Sequence, residues 1–134
     1  MSRLLVSVLF LLLLPAGLVE ARKAPLAIPE PIPVPATLAM DQVVRAIKLA
    51  MTARTWLIED EAEGRIEGRV NVRAHSARIA IEYDAREIRI RHIDSSNLEE
   101  RTGRGGTRLI HRNYNSWLSL LAQEIRLKLQ EASI

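Results

Sequence analysis

Arg65-Ile66-Glu67-Gly68-Arg69-Val70-Asn71-Val72-Arg73-Ala74 alternates residue by residue. Ile66, Val70, Val72 and Ala74 fall on one side, and Arg65, Glu67, Arg69, Asn71 and Arg73 on the other. A period of two is the signature of a strand with one buried and one wet face. Gly68 sits on the apolar side and marks a bulge or a place where a helix comes close. His75-Ser76 then turns the chain. Ala77, Ile79, Ile81 and Tyr83 make the next inward face, opposed by Arg78 and Glu82. Past a tight connection at Asp84-Ala85, Ile88 and Ile90 continue the pattern with Glu87, Arg89 and Arg91 outside. Upstream, residues 55–60 carry Trp56 and Ile58 on one face and turn at Ala62-Glu63-Gly64. The pattern predicts four antiparallel strands with one apolar face.

Two helical stripes flank this sheet. In residues 37–54, Met40, Val43, Val44, Ile47 and Met51 recur at helical spacing, with Thr37 as a cap and Asp41 near the positive end of the dipole. From residue 113, Tyr114, Trp117, Leu118, Leu121, Ile125 and Leu129 repeat the period, with Asn113 as the expected N-cap and Asn115 as an alternative. The fold class is therefore read as α+β. An N-terminal helix leads into a four-stranded antiparallel meander and a C-terminal helix, with both helices packed on one face of the sheet.

At 134 residues the chain has room for one domain. Met1-Ser2-Arg3, an apolar run over residues 4–14 and then Pro15-Ala16-Gly17 have the layout of an export signal, with Val19-Glu20-Ala21 as the cleavage site before Arg22. The alternative is an uncleaved inner-membrane anchor, although the run is short for a span of about 20 residues. Residues 1–21 are thus expected to be a signal peptide, residues 22–36 a linker and residues 37–134 the domain. In the linker, Pro25, Pro29, Pro31, Pro33 and Pro35 forbid helix and favour an extended spacer. The alternative is an arm docked through Leu26, Ile28, Ile32 and Val34.

The chain contains no Cys, so it has no disulfide, thiolate metal site or lipobox. Processing would remove Arg3 and Glu20 and leave the net charge at +3. Among the cations that remain, only Lys23, Lys48 and Lys128 are Lys; the rest are Arg, which suits carboxylate and phosphate. Export makes nucleic acid an unsuitable partner and leaves anionic lipid, anionic polymer or acidic protein faces.

Residues 94–109 interrupt the periodicity, and Leu98 with Leu109-Ile110 is placed to close a small hairpin around Gly103–Gly106. This glycine-rich turn lacks the Gly-Lys-Ser/Thr of a phosphate loop. Ser95 and Ser96 stand in no nucleophile elbow. His75, His92 and His111 match no zinc spacing. Glu59-Asp60-Glu61 and Glu99-Glu100 read as solvated turn acids. No enzyme activity, cofactor or metal is expected.

Asp94-Ser95-Ser96-Asn97-Leu98, followed by Ile110-His111-Arg112-Asn113-Tyr114-Asn115-Ser116-Trp117 and an amphipathic helix, resembles a family of small exported proteins and lipoproteins of Gram-negative bacteria with no assigned activity. Gln42-Val43, Ala46-Ile47, Trp56 and Arg73-Ala74-His75 extend the resemblance over most of residues 37–129. It implies an envelope location and no particular reaction.

Three functional expectations follow. The first is a non-catalytic envelope or periplasmic interaction protein that touches its partner through Ser95, Asn97, His111, Asn113, Tyr114 and Asn115. The second is an envelope-structural protein adhering to anionic polymer or lipid through the sheet-face residues Arg69, Arg73, Arg78, Arg89 and Arg91. The third is a small hydrolase or ligand carrier.

Overall fold

A computed structural model describes residues 23–98 and 100–134. The expected signal peptide, its cleavage site and Glu99 lie outside the described residues. The elements are β1 (Lys23–Pro25), β2 (Ile32–Pro33), α1 (Met40–Ala53), β3 (Leu57–Ala62), β4 (Arg65–Val72), β5 (His75–Tyr83), β6 (Glu87–Ser96), β7 (Arg101–Thr102), β8 (Arg108–His111) and α2 (Arg112–Ala132), with a 3-10 turn at Arg104–Gly106.

The protein is α+β, with two helices and antiparallel sheets. The expected four-stranded sheet is corrected to five strands in the order β2-β6-β5-β4-β3, beside a second sheet in the order β1-β8-β7. The additional strands come partly from the proline-rich stretch, which is no free spacer. Lys23, Ala24 and Pro25 pair with His111, Ile110 and Leu109, and Ile32-Pro33 pairs with the edge of β6. Proline tolerates an edge because it has no amide hydrogen to lose there. Val34 N–H donates to Arg86 O at 2.9 Å, and Ile32 and Val34 are buried in the core.

Alternation succeeds in the middle of the sheet. Ile66, Val70, Ala77, Ile79, Ile81, Ile88 and Ile90 are buried in one cluster with Val43, Ile47 and Met51 of α1 and Leu118, Leu121, Ile125 and Leu129 of α2. The bulge lies opposite Gly68, in β3, and Gly68 itself meets the expectation of a close helix. A Cβ there would lie 2.5 Å from the Met51 Cε of α1, and the register opposite it shifts between Ile58 and Asp60.

The boundaries move. α1 starts at Met40, not near Thr37, and the Ala39 N–H donates to the Gln42 Oε1 at 2.9 Å. The β4–β5 turn is Arg73-Ala74, two residues before the expected His75-Ser76, and Arg73 takes the left-handed conformation at φ 57°. β6 runs on through Ser96 into the stretch expected to be loop. The hairpin expected around Gly103–Gly106 forms, with Arg101 opposite Leu109 and Thr102 opposite Arg108. α2 is capped by His111, whose Nδ1 accepts from the Asn113 N–H at 3.3 Å; Asn113 lies inside the first turn.

Candidate binding site

The candidate site lies at the end of the domain where β5 and α2 begin, β6 and β8 finish, and residues 97–109 return from one sheet to the other. A bulge in β6 organises it. Ile79 pairs with His92 and Arg78 with Asp94, so Ile93 is an extra residue. Inserting one residue resets the alternation. His92 faces inward with Ile79, and Ser95 faces inward with buried Ala77. Three residues apart, both reach Glu100. His92 Nε2 lies 3.1 Å from Glu100 Oε2, and the Ser95 Oγ–H donates to the same oxygen at 2.7 Å. Arg108 closes an ion pair on the other carboxylate oxygen.

The remaining ring nitrogen, His92 Nδ1, is 2.7 Å from the hydroxyl of fully buried Tyr114. The His92 side chain is only 2% exposed. Burial, reinforced by the Arg108 charge, lowers its pKa below 6.5. Burial likewise raises the Tyr114 pKa. A carboxylate accepts only, so Nε2 carries the proton and Nδ1 accepts from the tyrosine hydroxyl. This relay joins β6, the 97–109 return and α2. It points inward and fixes the return in place.

The other expected contact residues are used the same way. The Asn97 Nδ2–H donates to Ala74 O at 2.7 Å, while its own carbonyl accepts from His75 Nδ1 at 2.5 Å. The Asn115 side chain accepts from the Ala27 N–H and donates to Pro25 O, each at 2.9 Å, and so clamps the N-terminal strap onto α2. The structure brings Ser95, Tyr114, Asn97, His111 and Asn115 to one end and engages the polar group of each within the chain. Asn113 is exposed.

Two sets of arginines stand out; Arg45, Arg86 and Arg126, elsewhere on the surface, are exposed too and also have no carboxylate within 4.0 Å among the described residues. On the sheet face, Arg69 pairs with Glu59, Arg78 with Asp94 at 2.5 Å, Arg89 with Glu87 and Arg91 with Glu82 at 2.9 Å. Arg65 joins Glu67 and Glu82, each at 3.0 Å. Ala80, between Glu67 and Arg91 on this outer face, is 0% exposed beneath these side chains. The Arg78 contact also holds the Asp94 carboxyl below its ordinary range.

At the candidate site the balance is different. Arg54, Arg73 and Arg112, and Arg104 at the tip of the β7–β8 hairpin, are exposed, and none has a carboxylate within 4.0 Å among the described residues. The His75 and His111 rings meet at this end, with centroids 6.0 Å apart. Residues 71–81 and 101–123 contain no Asp or Glu. Beside Arg54 opens a groove of about 280 Å³ lined by Trp56, Val70, Val72, Trp117 and Leu120. The sequence reading missed the His92–Glu100–Tyr114 relay and the separation of the two arginine sets. Its available signals were the inward parity of His92 and the acid-free run after Glu100.

Among the described residues no group of three or more His, Cys, Asp or Glu is placed to hold a metal ion, and no helix is long and apolar enough to cross a membrane. Comparison with known proteins finds no matching family model, curated protein or solved structure.

Proposed function

We propose that this chain is an exported, non-catalytic interaction protein of the cell envelope, and that it engages an anionic component through its basic end. The observation that carries the reading is that Arg54, Arg73 and Arg112 are exposed at one end, without carboxylate partners among the described residues, and that Arg73 and Arg112 stand in stretches of sequence without Asp or Glu. Unpaired like charge on one end has a repulsive cost that an anionic partner removes. The strained conformation of Arg73 supports the same reading. A non-glycine residue in the left-handed region costs about 1 kcal/mol or more. The 73–74 turn keeps an arginine where glycine would fit without strain.

The sheet face is the weaker alternative, because Arg69, Arg78, Arg89 and Arg91 already have carboxylate partners. The relay, the Asn97 brace and the Asn115 clamp serve to hold the basic end rigid. The test is sedimentation of residues 23–134, which contain every residue of the hydrophobic core, with envelope vesicles and with peptidoglycan sacculi. Low-salt pelleting that Arg73→Ala/Arg112→Ala abolishes supports the reading. Pelleting indifferent to those substitutions, or none at all, contradicts it.

A further inference from the structure

The path of the chain into the domain suggests what the basic end faces. β1 runs antiparallel to β8, and its first residue, Lys23, pairs with His111 immediately before α2. The described chain therefore begins at the basic end. No slack is left after residue 22, because β1 begins at Lys23 and the Asn115 side chain holds Pro25 and Ala27. Upstream, residues 4–14 form the apolar run. The eight residues between that run and Lys23 span at most about 30 Å when fully extended. In the uncleaved alternative, the layer that receives residues 4–14 thus lies within reach of the end bearing Arg73 and Arg112.

Chemistry agrees with topology. The unpaired cations of this end come from separate elements: Arg54 follows α1, Arg73 is in the β4–β5 turn and Arg112 opens α2. Such a distributed array suits a field of many headgroups better than a single bound anion. Trp117 and Leu120, the latter 38% exposed, line the groove beside Arg54. An indole next to cations at an apolar edge is the composition favoured at a bilayer interface.

Resting on the reading above, we propose that the basic end lies against a bilayer containing anionic lipid. The arginines stand over the headgroups, and the edge of the Trp117–Leu120 groove faces the interface. Attraction to an anionic surface is worth about fivefold in partitioning per cation, so removing two should weaken association about 30-fold. Salt should weaken it as well, because such contacts act within about a Debye length.

The protein has no Cys, so one introduced thiol gives one labelled position. The full chain is labelled with a fluorophore at Asn113→Cys or, at the β3–β4 turn, at Glu63→Cys. It is then mixed with phosphatidylcholine vesicles, with or without phosphatidylglycerol, that carry a nitroxide-headgroup quencher. The proposal expects strong quenching at position 113 and little at 63 in the anionic vesicles, with the contrast reduced by salt and by Arg73→Ala/Arg112→Ala. Thermal unfolding should be unaltered in that double variant. Equal quenching at both positions, or none at 113, overturns the bilayer assignment. If sacculi then still retain residues 23–134 in an Arg73- and Arg112-dependent way, the basic-end reading survives and only the bilayer is wrong. If neither surface binds, both readings fall.

Discussion

The sheet face and the basic end are both rich in arginine and differ in what each arginine meets. On the sheet, β-strand register places Arg65 opposite Glu82 and Arg78 opposite Asp94, and the charges are spent within the surface. At the end of the domain, the turn and helix start place Arg73 and Arg112 in stretches of sequence that contain no Asp or Glu. Composition counts both sets equally. The difference teaches that register and chain reversal determine which cations are left for a partner.

The largest expected effect comes from loosening the structure beneath the basic end. Tyr114→Ala removes a fully buried ring and the donor to His92, and should cost about 3–5 kcal/mol by chemical denaturation. Tyr114→Phe keeps the ring but leaves His92 Nδ1 without its donor, for about 1–3 kcal/mol. If both substitutions cost little, the relay does not hold the two regions together.

Next comes pH. The His92 pKa is lower in the folded protein than the ordinary 6.5, so the unfolded chain takes up this proton first. The stability associated with neutral His92 is fully present above about pH 6.5 and is lost as pH falls through that value towards the lowered one. Denaturation midpoints from pH 8 to pH 5 should decline in the wild type and flatten in His92→Gln. Asp84 and Asp94, whose pKa values fall below 3.8, act in a separate, more acidic window.

Much of the architecture was legible because alternation over Ile66–Val72 and the two helical stripes each require a single buried face. The reading stopped where local rules were overridden. Nothing local announces that Pro33 takes an edge position on β6, since the partner is more than 50 residues away. The bulge at Ile93 turns Ser95 inward, against the alternation that Ile88 and Ile90 establish. Asn115 looked like a cap or a contact residue, and instead it bonds the backbone of Pro25 and Ala27. Ser95, Asn97, His111, Tyr114 and Asn115, read from the sequence as contact residues, gather at one end of the domain. That their polar groups are engaged within the chain was not legible, because it depends on long-range pairing.

Smaller effects sharpen the contrast. Arg73→Gly should relieve the left-handed strain and raise stability by about 1 kcal/mol, while weakening association with an anionic surface about fivefold. Opposite signs in one variant would mark Arg73 as kept for binding. Arg78→Ala should leave the denaturation midpoint close to that of the wild type, as expected for a solvent-accessible pair.

The most direct measurement is the affinity for anionic vesicles, against ionic strength, of three proteins: the wild type, Arg73→Ala/Arg112→Ala and Arg78→Ala/Arg91→Ala. Both double variants lower the net charge by two, so any difference between them reports location. The account expects the first to bind about 30-fold more weakly than the wild type and the second to stay within about twofold of it. Equal losses in the two variants would contradict it, because binding would then follow total charge and the basic end would have no special role.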